Sequence, residues 1–408
     1  MELITYKAVS FTRIVNASLL IAGTCIGGGM LALPISSSSV GFIPSLVIMC
    51  ICCIFMTVTS LLYLEATLWM KEKAHLNTLA AALLTKFWRI VCSITYLFIC
   101  YASIIAYMSG GGKELIFVAN EIFVTSYSNS LGIVVFSFLF GIILFLGHKI
   151  LERVNTVLFF SMIFAYLMLI AGHGNNISAP LLLRQEWNNH IFFVFPLMLT
   201  TFSFPGIVPT IVPYLDKNPK AIKLAIVTGT AITFIVYCVW LFIVFGSVPH
   251  EGPHGLKEAF LCDIPATECL HYALKNPLIS AAAQFFAFFA LATSFLGISL
   301  SLFDFLNDSI TLKMNTKVKK ILFCSIVFAP SLFFAIYFER AFVAALEISG
   351  GIGDSLLSGV IPVIMIWKGR YFLSKEGEYK VWGGKSLLVV LLIISISIFS
   401  CELIRRIF

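Results

Sequence analysis

Charge is what this chain has least of. Asp, Glu, Lys and Arg make up only 12% of its 408 residues, against 60% hydrophobic residues. A soluble protein of this length needs far more charge on its surface. A cytosolic enzyme, a nucleic-acid binder and a disordered chain are therefore excluded. Catalytic motifs are missing too: there is no Walker loop, no nucleophile elbow and no dinucleotide fingerprint. Neither an enzyme nor ATP-driven transport by this chain is expected. His250-Glu251-Gly252-Pro253-His254 spells a zinc-protease motif, but Gly252 and Pro253 break the helix that its metal geometry requires. The 11 Cys show no ligand spacing, so neither a metal nor a cofactor is expected.

What is present is a series of apolar runs of membrane-crossing length. Eleven spans are expected, at 12–37, 42–68, 88–109, 131–148, 153–172, 191–214, 221–246, 278–306, 319–337, 341–367 and 386–404. All should be helices, because lipid leaves no partner for an unpaired backbone group. The excess of basic residues then reports topology. With the N-terminus in the cytoplasm, 20 Lys and Arg fall inside and seven outside: Lys113, Arg184, Lys257, Lys275, Arg340, Arg405 and Arg406. That bias fits the positive-inside rule, and eleven spans put the C-terminus outside. The long outer loop 247–277 contains a stretch, Lys257–Ala273, expected as one short helix. It also holds Cys262 and Cys269, as a disulfide or as two thiols.

Two spans carry helix breakers near their middles. The first has Gly23, Gly27, Gly28 and Gly29 within seven residues, and the sixth has Pro205-Gly206. Each glycine costs a helix roughly 0.8–1 kcal/mol relative to Ala, and proline removes a backbone donor. The two broken spans open two five-span halves, 12–172 and 191–367, with 386–404 left as an extra span. An odd number of spans per half inverts one half against the other. Paired breaks at matching positions of inverted halves are the sequence pointer to a carrier's binding site. Half-helix N-termini suit a carboxylate and freed carbonyls suit an ammonium, so the ligand expected is an amino acid. Four acids fall inside spans: Glu65, Asp304, Glu347 and Asp354. No Lys or Arg occupies a span centre, so these are expected to lack partners and to be candidates for binding and releasing the coupling proton; for Glu65 and Asp304, towards the cytoplasmic ends of their spans, the alternative is that they reach interfacial water.

Specific stretches add a resemblance. Gly23-Thr24-Cys25-Ile26-Gly27-Gly28-Gly29-Met30-Leu31-Ala32-Leu33-Pro34 resembles the first-helix signature of the hydroxy and aromatic amino acid permeases. Thr201-Phe202-Ser203-Phe204 with Val208-Pro209-Thr210 resembles their sixth helix, and Ala290–Gly297 with Leu302–Leu306 their eighth. Ser109-Gly110-Gly111-Gly112, placed after span three, and Tyr379–Gly384 match as well. The likeness covers nearly the whole chain and is strongest to tyrosine-specific permeases. It implies an all-helical five-plus-five inverted-repeat fold like that of the leucine transporter. It also implies proton-driven uptake of an aromatic amino acid across a bacterial inner membrane, with no nucleic acid or obligatory protein partner. By position, Ala22, Gly23, Thr24, Gly27, Gly28, Gly29 and Met30, with Thr201, Phe202, Ser203, Phe204 and Gly206, would cradle the amino and carboxyl groups. Tyr101, Tyr107, Phe202, Phe204, Thr293 and Ser294 would face the ring. The chain departs from the family where Pro205 replaces a common His, and where Glu347 and Asp354 replace apolar or small residues. Alternatives are tryptophan or phenylalanine selectivity, sodium coupling, and a membrane sensor that binds amino acids without moving them.

Overall fold

Backbone groups in an apolar solvent must be paired within the chain, and the described membrane-crossing stretches meet that demand as helices. The computed structural model describes residues 9–70, 76–123, 126–173, 177–187, 190–274, 276–310, 315–338, 341–377 and 379–407. Of the sidedness residues, Lys7, Lys71, Lys73, Lys275, Lys313 and Arg340 lie outside these segments. No β-strand occurs among the described residues. In chain order the helices are α1 (Phe11–Cys25), α2 (Gly28–Ser36), α3 (Phe42–Leu68), α4 (Leu76–Leu83), α5 (Lys86–Phe123), α6 (Asn129–Leu146), α7 (His148–His173), α8 (Ala179–Leu183) and α9 (Ile191–Thr201). They continue with α10 (Val208–Tyr214), α11 (Pro219–Ser247), α12 (Leu256–Cys262), α13 (Ala266–Ala273), α14 (Pro277–Ser309), α15 (Thr316–Tyr337), α16 (Ala341–Ile348), α17 (Ile361–Tyr371) and α18 (Gly384–Ile407). Ten of the helical stretches are long and apolar enough to cross a membrane, and α1 with α2, bent by 53°, makes an eleventh. The eleven expected spans are thus all present.

Local chemistry sets the helix starts. Asn218 and Asn276 cap α11 and α14 through their side-chain oxygens, each with a proline in the first turn that needs no N–H partner. Ser128 caps α6, and Gly147, at φ 109°, ends it.

Two expectations need correction. The third span does not stop at residue 109. It runs to Phe123, 38 residues, so the triple glycine lies inside α5. Glycine reads as a stop in sequence, but here it makes room for a crossing helix. A Cβ on Gly112 would stand 2.5 Å from the backbone of Ile133, and one on Gly132 would strike the Gly112 carbonyl. The outer-loop helix expected over Lys257–Ala273 is two helices, α12 and α13. Asp263 divides them in a left-handed conformation, φ 55°. Its buried carboxylate takes Lys113 at 2.5 Å and the N–H groups of Phe342 and Val343 at the start of α16. Cys262 is exposed and Cys269 buried, both as free thiols.

The broken and irregular spans sit at the centre. In the stretch Ala341–Tyr371, 78% of the most apolar window is buried, against 22% in Lys149–Gly172. Phe138 on α6 and Phe160 on α7 are exposed and face outward, where lipid lies. Around the centre, α1 packs on α11, α14 on α5 and α7, and α18 on α9 and Ser349–Val360. Ser349–Val360 is π-helical, joining α16 to α17.

Candidate binding site at two broken helices

The first break is short. α1 ends at Cys25, Gly27 is extended, and α2 restarts at Gly28. The Gly28 N–H donates to the Ser294 hydroxyl of α14 at 3.0 Å. Only glycine fits here: a Cβ on Gly27 would collide with that hydroxyl, and one on Gly28 would lie 2.7 Å from the Tyr107 ring. Within α2, Pro34 has no N–H to offer the Met30 carbonyl four residues back. Trp240 of α11 supplies the missing donor through Nε1, at 2.9 Å.

The second break is longer. α9 ends at Thr201, Ser203 and Phe204 leave the helix, and a 3₁₀ turn at Pro205–Ile207 leads into α10. A single side chain joins the two breaks. The Tyr237 hydroxyl stands 2.6 Å from the Cys25 carbonyl and 2.8 Å from the Thr201 carbonyl, with Phe202 edge-on to its ring at 5.3 Å. Beside the second break lies Asp354, fully buried. Its Oδ1 accepts from the hydroxyls of Ser203 at 2.5 Å and Ser358 at 3.3 Å, and Oδ2 has no hydrogen-bond partner.

Gly27, Gly28, Gly29, Met30, Tyr107, Thr201, Phe202, Ser203 and Ser294 therefore surround the breaks. Ala22 is buried in the last turn of α1, and its carbonyl caps that helix through the Ile26 N–H. Phe204 is buried next to Ser203, and the Thr293 hydroxyl turns back to the Ala290 carbonyl. Gly206 lies in the 3₁₀ turn of the second break, with open space where a Cβ would stand. Three residues are not brought in. Gly23 faces Phe159, and Thr24 is exposed with its hydroxyl on the Leu20 carbonyl. Tyr101 points to α15, donating to the Ile326 carbonyl at 2.9 Å.

The expected lack of basic partners for the acids is corrected at two positions. Glu65 makes a two-pronged pair with Arg370 at 2.7 and 2.5 Å and also accepts from the Val381 N–H. Glu347 meets Arg405 and Arg406, each at 3.1 Å, and the Ser36 hydroxyl. In each case the cation stands at a helix end and reaches inward along its own stem, which a search of span centres passes over. Asp304 is half-buried at the C-terminal end of α14, near Tyr96. Of the four acids, Asp354 alone is fully buried with an oxygen that no donor meets. Tyr237 and Trp240 were not anticipated. The available signal was Pro34, which announces an orphaned carbonyl, and the i, i+3 spacing of two hydrogen-bonding aromatics on one helix.

Comparison with known proteins agrees with this architecture. The structure of MhsT in complex with L-phenylalanine superposes with a TM-score of 0.67 at 14% identity, covering 98% of this chain and 99% of that one. A manganese transporter from Eremococcus coleocola gives 0.63 at 13% identity, covering 98% and 89%. The fold is thus of the leucine-transporter type. The chain is similar to tyrosine-specific transport system 1 of Haemophilus influenzae, 30% identical, with 95% of this chain and 96% of that protein aligned. It is also similar to the tryptophan-specific transport protein of the same organism, 27% identical, with 92% of each aligned. These relatives are transport proteins rather than enzymes. The model of the tryptophan/tyrosine permease family matches residues 11–402, and the chain belongs to that family.

Proposed function

We propose that this protein is a secondary active transporter that imports an aromatic amino acid, tyrosine first, by proton symport across a bacterial inner membrane. One observation carries the reading: two helix breaks share the Tyr237 hydroxyl, with a buried carboxylate, Asp354, hydrogen-bonded to one of them. The substrate carboxylate takes the Gly28 N–H at the start of α2, replacing the Ser294 hydroxyl, where the helix dipole favours a negative group. The ammonium takes a carbonyl at Cys25 or Thr201. The ring lies toward Tyr107 and Phe202. Asp354 binds the proton, and its hydrogen bond to Ser203 transmits proton loading to the second break. The halves 12–172 and 191–367 then exchange access, the helices of the two breaks rocking against the rest. The N-terminus lies in the cytoplasm, on the side of the basic loops.

The higher identity to the tyrosine system, 30% against 27%, supports tyrosine ahead of tryptophan. The test is uptake of labelled tyrosine into vesicles of purified protein with an imposed pH gradient, acid outside. Accumulation above equilibrium, blocked by excess unlabelled tyrosine, is expected. Accumulation that ignored the pH gradient and followed a sodium gradient would sink the coupling. Inhibition by tryptophan alone would move the substrate.

A further inference from the structure

Because α5 runs beyond its expected end, Glu114 falls within the bundle rather than in a loop. It lies seven residues from Tyr107, two turns along the same helix face and about 10 Å nearer the α12–α13 cap. The side chain is 1% exposed. One carboxyl oxygen accepts from the Thr267 hydroxyl of α13 at 3.2 Å, and the other has no partner. The adjacent cation is already engaged, since Lys113 is locked on Asp263. Among the described residues, the charged group that acts on Glu114 is another acid. Glu268, on α13, is within electrostatic reach of Glu114, and burial with Glu121 nearby pushes Glu268 up to about 7 against the pull of Lys113. His271, one turn on, is held by Ser280 and Gln284 with its ring on Phe117. A carboxylate here is a buried charge that no cation among the described residues pairs with, and an uncharged carboxyl costs far less.

We propose that Glu114 is a second proton-binding site, at the outer mouth of the pathway, which takes a proton from external water past Glu268 and over which the α12–α13 cap then seats. The proton passes from water to the open oxygen of Glu114, and the hydroxyl of Thr267 holds the other. The inference rests on the proton-symport reading but concerns a different carboxyl.

The test measures tyrosine uptake by reconstituted protein against external pH, roughly 5 to 8, and tyrosine exchange at equal pH on both sides. Wild-type uptake should fall by up to about tenfold per pH unit on the alkaline side. Glu114→Gln should flatten this dependence while keeping exchange. A wild-type profile in Glu114→Gln overturns the proposal. If that variant also loses exchange, Glu114→Asp decides: a displaced profile supports the site and an undisplaced one overturns it. Wild-type uptake without external-pH dependence overturns the symport reading itself, and is seen before any variant is made.

Discussion

At the scale of single residues, the site is defined by close approach. Gly27 leaves no room for a Cβ beside the Ser294 hydroxyl. Gly27→Ala is expected to overpack the break at about 1–3 kcal/mol, which lowers tyrosine affinity while the protein still inserts. Adding Ser294→Ala should restore part of the affinity, since the remaining Cβ is 3.3 Å away. Equilibrium binding on the single and double variants checks this, and equal losses would mean the two residues do not meet. The glycines and prolines of both breaks were legible in the sequence because backbone chemistry alone marks them. Tyr237 was not. Which hydroxyl reaches a freed carbonyl depends on how α11 docks against α1 and α9, and no local pattern records that. The same blindness applied to Glu65 and Glu347, whose arginines come from 305 and 58–59 positions further along the chain.

At the scale of helices, the spans were legible from hydropathy, and their irregularities only in part. The triple glycine of α5 is a packing device against α6, and reading it as a terminus hid Glu114. Glycines at 350, 351 and 353 accompany the π-helical stretch of the tenth span, where Gly350 packs on the Pro196 carbonyl of α9. That register shift is set by neighbours and has no sequence signature. The connection from α17 to α18 is held by a buried clasp: Glu65 of α3 binds Arg370 and the Val381 N–H, and Arg370 binds the Val381 carbonyl. Burial, helped by the charge of Glu65, pushes the nearby Tyr379 phenol up to about 12, so it stays neutral. Arg370→Ala should leave Glu65 buried without a cation and cost about 3–5 kcal/mol. Replacing both partners with apolar residues should recover much of that stability. Thermal denaturation of purified protein in detergent gives both values. A single variant as stable as wild type would show the clasp to be dispensable.

At the scale of the molecule, the chain's scarce charge is concentrated at the two ends of the bundle. One end carries the Glu65–Arg370 clasp. The other carries Lys113–Asp263 and the cluster of Glu347, Glu402, Arg405 and Arg406, which ties α18 to the tenth span. The arginines of this cluster were expected just beyond the last span, on the outer side, but α18 continues to Ile407 and brings them against Glu347 and Glu402. Sidedness can be read chemically, because Cys262 is an exposed thiol of the α12–α13 cap. A membrane-impermeant maleimide added to intact cells should label the wild type and not Cys262→Ser. Labelling only after the membrane is opened would reverse the assigned orientation.

The Tyr237 hydroxyl has one proton and faces two carbonyls, so it satisfies one of them at a time. A donor that arrives at either carbonyl releases the hydroxyl to the other, and its departure reverses the exchange. An empty site leaves one of the two carbonyls without that proton, and a filled site leaves neither. The pair of breaks therefore keeps a place for one incoming donor, and the direction in which the Tyr237 hydroxyl points decides which break receives it.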